Sequence, residues 1–215
     1  MIDIKNIDVS DFGTAIFAMR NSYSNWGEKD SLPYEIGEND LKLLKSLVKA
    51  GDSHSKCLRF INVTMDITAP LYWWKQFDTY KVGTVCLSTS TMHTITKKPF
   101  ILSDFSHEHL TDKWENYNLV PYNEEYHNTP NDVLVFIVDS LNIYRNLYLR
   151  TGEKKYWWQI IQLLPESYNQ MRTVQINYQT ILNIIKQRKN HRLNEWHDFI
   201  EEMYRLPYIK ELSEV

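Results

Sequence analysis

Residues 39–77 read NDLKLLKSLVKAGDSHSKCLRFINVTMDITAPLYWWKQF, and two periodicities meet within them. Leu41, Leu44, Leu47 and Val48 recur at helical spacing. Asn39-Asp40 offer a polar start before them and Gly51 a stop after them, so a helix is predicted here. From Ile61 the period becomes two: Ile61, Val63, Met65 and Ile67 are apolar, and Asn62, Thr64, Asp66 and Thr68 between them are polar. That alternation is the mark of a half-buried strand. Ala69-Pro70 ends it, and because proline is tolerated in a first helical turn, Leu71 to Phe77 is expected to begin a second helix.

Outward from this segment, helices dominate. Thr129-Pro130 opens a pattern through Val133, Ile137, Leu141, Tyr144 and Tyr148 that closes near Thr151-Gly152, which predicts a long core helix. Beyond Leu163-Leu164-Pro165, helices are expected over about Thr173 to Lys189, with Ile176, Ile181, Ile184 and Ile185 inward, and over about Leu193 to Tyr204. Asp78 to Ser90 lacks periodicity, is rich in small hydroxyl residues and reads as a loop. Lys97 to Asn131 carries Pro99, Pro121 and Pro130 among polar residues and reads as irregular structure or short helices. Helices with a few strands between make the fold class α+β. With no repeat or linker, one domain over residues 1–215 is expected.

Composition narrows the function. Of 215 residues 43% are hydrophobic and 24% charged, which excludes collagen-like, disordered and supercharged chains. Lys and Arg number 24 against 27 Asp and Glu, a net charge of −3, so no general basic field exists for a nucleic acid polymer. The longest apolar run, Val133 to Val138, is far short of the ~20 residues that span a bilayer. No basic segment leads into an apolar one at the N-terminus, so the expectation is a cytoplasmic protein without a membrane association. Cys57 and Cys86, in a chain read as unexported, are expected as reduced thiols. Aromatic residues reach 13%, with seven Trp and fourteen Tyr, which suits flat-ligand stacking or an aromatic oligomer interface.

Several blocks resemble the flavin-dependent thymidylate synthases. AMRNSY, residues 18–23, is similar to that family's Ala-Arg-x-Ser-Tyr segment, which gives Ser22 a place near the flavin. His54, the strand Ile61 to Ile67, Ala69-Pro70, Tyr72 and Gln76 follow in the family's order, implying a flavin contact for His54 and a nucleotide contact for Gln76. LLPESYNQMRTVQINYQTILNIIKQR, residues 163–188, resembles its Leu-Pro block with Asn177, Asn183 and Arg188 at the family's spacing. On one helix, Asn177 and Arg188 would be about three turns apart and share a face, with Asn183 off that line. Asparagine amides offer both donor and acceptor to a purine or flavin edge, and an arginine can neutralise a uracil oxygen.

The family's signature falls on TYKVGTVCLSTST, residues 79–91, and is largely rewritten. Lys81 keeps a positive charge and Thr84 a hydroxyl. Tyr80 stands for histidine, Cys86 and Leu87 for Asn-Glu, Thr89 for serine, and Thr91 for the arginine that holds the nucleotide phosphate. Loss of that arginine removes a bidentate clamp. Either phosphate is gripped by Lys81, Ser88, Ser90 and backbone N–H groups of this segment, or the substrate differs.

The resemblance implies FAD, NADPH and methylenetetrahydrofolate as cofactors and a pyrimidine deoxynucleotide, dUMP, as substrate of a one-carbon transfer to C5. It also implies a homotetramer with ligands where subunits meet. Catalytic roles fall to Arg188 and Gln76; flavin contacts to Ser22, His54, Tyr80, Lys81, Asn177 and Asn183; substrate contacts to Gln76, Ser88, Ser90 and Arg188. Two other readings fit the same residues: a flavin-dependent pyrimidine nucleotide hydroxymethylase, or a non-catalytic binding or assembly module. Without the resemblance the residues have plainer explanations. Asn177 and Asn183 read as a helix-start group and a solvated side chain, Cys86 and the aromatics of LYWWKQF as packing, and His191 with Glu195 as a solvated helix pair. His107-x-His109 fits no zinc spacing.

Overall fold

The computed structural model describes residues 2–113 and 129–215. Its elements in chain order are β1 (Asp3–Val9), α1 (Gly13–Met19), α2 (Glu38–Lys49), β2 (Asn62–Pro70), α3 (Leu71–Phe77), β3 (Thr84–Ser88), α4 (Thr91–Thr94), α5 (Pro130–Thr151), α6 (Lys154–Leu163), β4 (Asn169–Asn177), α7 (Tyr178–Arg188), α8 (Asn194–Tyr204) and α9 (Ile209–Ser213). The strands form one small antiparallel sheet in the order β1-β2-β4-β3. The fold is α+β, as the patterns predict.

The chain divides into two compact units. One is Met1–Thr68, Lys75–Ser88 and Met171–Val215; the other is Ala69–Trp74 and Thr89–Gln170. Neither is contiguous in sequence, so no linker-like composition marks where one ends and the other begins.

In the first unit, β2 alternates as its sequence requires, with Ile61, Val63, Met65 and Ile67 buried and the polar positions between them half-buried. Phe77, Trp196 and Phe199 pack as a cluster of rings, Phe77 stacked on Trp196 at 6.4 Å and Phe199 edge-on to both. Burying a large aromatic contributes a few kcal/mol each, and edge-to-face pairs add about 0.5–1.5 kcal/mol. β1 is an edge strand. It breaks register between Lys5 and Asp8, where Asn6 takes φ 52° and its amide donates to Asp66 Oδ2 at 2.8 Å. Charged residues and a bulge of this kind protect an edge from pairing with another chain.

The second unit packs α5 against α6 around Ile95, Phe100, Phe105, Leu134, Val138, Leu141 and Ile160. α5 begins where Thr129-Pro130 is expected to open it, with Thr129 as its cap completed by Asp132 in a reciprocal capping box, and ends at Gly152 in the left-handed conformation. Trp73 and Trp74 of LYWWKQF are fully buried, so these two aromatics serve packing. Part of the expected irregular stretch, residues 114–128 with Pro121, lies outside the described residues.

Two sequence expectations are corrected. Asp78 to Ser90 is not all loop, since β3 occupies Thr84–Ser88, pairing Thr84 with Ile176 and Ser88 with Arg172. As an outer strand it exposes Val85, Cys86, Leu87 and Ser88, so it shows no inward apolar face to read. The helix expected over Thr173 to Lys189 is two elements: β4 runs to Asn177 and α7 starts at Tyr178. Val174 and Ile176 are buried two apart, a strand period that merges with the helical Ile181, Ile184 and Ile185.

The AMRNSY block yields a structural ion pair. Arg20 donates from Nε to Asp40 Oδ1 at 2.8 Å, with Nη2 2.6 Å from the same oxygen; the two side chains are 4% and 0% exposed. The other oxygen of Asp40 accepts from the backbone N–H of Asp30 and Ser31, both at 3.0 Å, and from the Ser31 hydroxyl at 2.6 Å. Arg20 Nη1 also lies 3.4 Å from the exposed Glu28 carboxylate, a longer contact, so removing Asp40 leaves a buried guanidinium poorly compensated. Asp40→Ala should therefore lower the unfolding free energy by about 3–5 kcal/mol, measured by urea denaturation; a loss under about 1 kcal/mol would show the pair to be replaceable.

Candidate functional site

Asn177 ends β4 and caps α7. Its backbone N–H donates to the Gly83 carbonyl at 3.2 Å, and its side-chain Oδ1 accepts from Thr180 N at 2.9 Å and Thr180 Oγ1 at 3.0 Å. It is a cap and not a member of the helix face, so the expected alignment of Asn177 with Arg188 along one helix does not hold. Gly83 sits against this cap with φ +80°, and a Cβ there would lie 2.3 Å from Asn177 Nδ2. Both the backbone conformation and the space require glycine.

Around this junction is a cavity of about 410 Å³, lined among others by Lys81, Asn177, Asn183, Arg59 and Gln187. It runs along the 11-residue α7 from Asn177 to Gln187, and at the start of that helix the Tyr178 N–H donates to the Ile61 carbonyl at 3.0 Å and the Thr180 N–H to Asn177 Oδ1. Tyr80 lines the cavity and joins it to a second group of side chains. Arg188 Nε donates to the Tyr80 hydroxyl at 2.8 Å, and that hydroxyl donates to Gln187 Oε1 at 3.1 Å. Gln76 Oε1 accepts from Arg188 Nη1 at 3.4 Å and from Trp196 Nε1 at 3.0 Å. The guanidinium carbon lies 5.5 Å from the Tyr80 ring centroid and 4.9 Å from that of Trp196. Arg188 is half-buried, and no carboxylate among the described residues pairs with it.

Of the sequence-predicted residues, then, Gln76, Tyr80 and Arg188 come together from α3, the following turn and the end of α7, while Lys81, Asn177 and Asn183 line the adjoining cavity. Ser22 is exposed in a 3-10 turn at Asn21–Tyr23. His54 is exposed in the turn after α2, its N–H on the Gly51 carbonyl at 2.9 Å. Ser88 is exposed at the end of β3. None of these three lines the cavity. Ser90 belongs to the second unit and precedes α4, where its carbonyl accepts from the Thr94 N–H and hydroxyl.

Two residues with a part in this arrangement were missed. Arg59 donates through Nε to Gln179 Oε1, and the Gln179 amide donates to the Asp52 carbonyl at 3.2 Å; nothing in the sequence pattern distinguishes Arg59. Trp196 carried a readable signal, since a buried indole N–H in an apolar helix stripe needs an acceptor. Both cysteines are free. Burial pushes the Cys57 thiol up to about 11, and shielding raises Cys86 above the ordinary thiol range despite its exposed position on β3, so neither is poised as a thiolate. Cys86 was expected to pack and does not. Glu195, expected in a solvated pair, is buried.

No protein-family model and no curated protein matches the chain. Solved structures do. Thymidylate Synthase X from Helicobacter pylori with FAD and dUMP superposes with a TM-score of 0.69 at 16% identity, covering 99% of this chain and 97% of that one. A structure of flavin-dependent thymidylate synthase ThyX from the same organism, complexed with FAD and dUMP, gives 0.65 at 17% identity, covering 99% and 96%. At these identities the likeness establishes the fold.

Two predictions follow from the geometry. Gly83→Ala should destabilise by about 1–3 kcal/mol through the forced positive φ, with a further ~1 kcal/mol if the Asn177 cap breaks; thermal or urea unfolding reads both. His191 borders the arrangement: its Nδ1 accepts from Leu193 N at 3.1 Å, and desolvation, then the Arg188 charge, lower its pKa. With the folded value below the unfolded one, stability is full above the unfolded pKa and is lost as pH falls through it. Between about pH 7 and 5 the wild-type melting temperature should drop more than that of His191→Gln; parallel curves would remove His191 from the effect.

Proposed function

We propose that residues 1–215 form a single flavin-dependent domain of the thymidylate synthase type, which transfers a one-carbon unit from methylenetetrahydrofolate to C5 of dUMP with NADPH as reductant. The observation that carries this reading is the Arg188 guanidinium, half-buried without a carboxylate, held by Gln76, Tyr80 and Trp196 beside a cavity along α7. A cation kept in this way is available to an oxygen that gains charge during reaction.

The residues fit FAD. A polyanionic dinucleotide needs cations and amides for its edges, and the cavity offers Lys81 and Arg59, the Asn183 side chain and Asn177 Nδ2, the Asn177 oxygen being taken by Thr180. FAD, when bound, supplies the redox chemistry. The chain's own part is to hold and orient. Lys81, Arg59, Asn177 and Asn183 keep the flavin, with Ser22 and His54 as outlying contacts. Arg188 and Gln76 hold an oxygen of the pyrimidine and stabilise charge on it, while Ser88 takes phosphate. A homotetramer belongs to the same proposal, since Ser22, His54 and Ser88 are exposed and a neighbouring subunit can bring them to a shared ligand.

The second reading, a non-catalytic module with the same fold, is favoured by Thr91, Cys86 and Leu87 at positions where the family carries its charged signature. The visible absorption spectrum with added FAD, followed by dUMP titration, separates the two. A flavin spectrum perturbed by dUMP, with Arg188→Ala losing about 10²-fold or more in turnover while keeping flavin and melting temperature, is the expected result. Absence of flavin binding would transfer the assignment to the module.

A further inference from the structure

A second cavity, of about 590 Å³, lies against α7 where Leu182, Ile185, Lys186 and Lys189 face, and the proposed reaction makes no use of it. Its volume is that of a small-molecule site. Lys49, the last residue of α2, and Lys186 and Lys189, at the end of α7, bring three ammonium groups to it. Among the described residues none of the three makes an ion pair, whereas Lys5, Lys42, Lys98 and Lys155 each hold a carboxylate. Asp52 and Glu214 also line the cavity, and neither pairs with a lysine. A helix end stabilises a cation in its last turn by about 0.3–1 kcal/mol, which accounts for Lys49 and Lys186 singly. It does not account for their convergence. Lys186 and Lys189 stand three residues apart, a spacing at which like charges repel, and Lys49 adds a third charge from another helix. Much of the remaining lining is apolar: Val48, Leu58, Leu182 and Leu212, with the Tyr204 ring 37% exposed among them. Asn183 stands between this cavity and the first, and no hydrogen bond among the described residues occupies its side-chain amide.

We propose that this cavity is a separate site for a nucleoside di- or triphosphate, with Lys49, Lys186 and Lys189 on the phosphate chain and Leu58, Leu182 and Tyr204 against the sugar and ring. A diphosphate chain carries roughly as many negative charges at neutral pH as the lysines carry positive ones, and lysine is a compact point charge on a flexible stem that follows such a chain. A nucleoside without phosphates leaves the mutual repulsion of the lysines in place, and a bare phosphate chain leaves the apolar lining in water. The site goes beyond the flavin reading and does not depend on it. Asp52, Gln179 and Asn183 line both cavities, so a ligand in one changes the affinity of the other by a finite factor, and the reverse effect is equal.

The test is calorimetric titration of the full chain with ADP, UDP, adenosine and pyrophosphate, without FAD and again at saturating FAD. Both diphosphates should bind, more weakly as salt rises, and adenosine and pyrophosphate should each bind about tenfold less tightly. The double variant Lys186→Gln with Lys189→Gln changes two exposed side chains, so it should melt as wild type while losing about tenfold in affinity for ADP and UDP. Tyr204→Ser should weaken both nucleotides and leave pyrophosphate unchanged. ADP binding that persists at saturating FAD, shifted by no more than a limiting factor, supports the separate site. An apparent ADP affinity that falls without limit as FAD rises makes the cavity an end of the flavin's own site, which overturns the inference and leaves the proposed function standing. Pyrophosphate binding as tight as that of ADP reduces the cavity to a plain anion patch, and nucleotide binding untouched by the lysine changes puts it elsewhere; either overturns the inference. So does failure of all four ligands to bind at millimolar concentration, with FAD titration still deciding the proposed function. Lysine-dependent ADP binding in a chain that takes up no FAD keeps the inference and removes the proposed function.

Discussion

The approach of Gly83 to Asn177 is the constraint on which the first unit's arrangement depends. Asn177 is the last residue of β4 and the cap of α7, so one side chain sets both the end of the sheet and the direction of the helix. Its N–H on the Gly83 carbonyl ties the segment before β3 to this corner, and the Thr180 hydroxyl, 3.1 Å from the Val82 carbonyl and 3.0 Å from Asn177 Oδ1, shares its one proton between the two. With residues 82 and 83 held there, Tyr80 is carried to the far end of α7, where Arg188 meets it. A helix of 11 residues is about 16 Å long at 1.5 Å per residue. The same helix therefore lines the cavity along its length and carries a guanidinium at its far end, with the turn after α3 running alongside both.

Energetically the Arg188 end is an unusual way to keep a cation. The Arg20–Asp40 pair shows the ordinary solution in this chain, a buried guanidinium matched by a carboxylate whose own oxygens are fully bonded. Arg188 instead has a phenol oxygen, an amide oxygen and two aromatic faces. Cation–π contacts stabilise by about 0.5–2 kcal/mol, rising as water is excluded, and neutral acceptors offset desolvation only in part. One arginine is thus matched by a carboxylate, and the other has none paired with it among the described residues. Nearby, desolvation first and then the charge of Arg188 lower the pKa of His191.

Elements with a single clean period were legible in the sequence. α2, β2 and α5 are where Leu41 to Val48, Ile61 to Ile67 and Thr129 to Gly152 place them, because each buries one face and carries its own stop. The failures share a cause. In QMRTVQINYQTILNIIKQR the inward residues of β4 and α7 follow one another without a breaker, and only an asparagine whose capping role depends on Thr180 marks the change. β3 lies at the sheet edge with four of its five residues exposed, so burial leaves no alternation in it. For the site, Gln76, Tyr80 and Arg188 were identified through family resemblance, whereas Trp196 and Arg59 act through contacts across long separations, 120 residues in each case. No local pattern encodes such a pairing.

The rewritten segment 79–91 also bears on how charge is distributed. Where the family places histidine and several charged groups in succession, this chain keeps Lys81 and then runs through Val82, Val85, Cys86 and Leu87, a composition suited to an outer strand. An anion in the cavity can still be met by Lys81 and Arg59, beside a helix start whose Tyr178 and Thr180 N–H groups are already bonded. A helix terminus stabilises an anion by about 0.3–2 kcal/mol, and less in salt, whereas a lost bidentate arginine contact is worth about 1.5–3 kcal/mol. On the proposed function, phosphate affinity should accordingly be weaker than a clamped site would give.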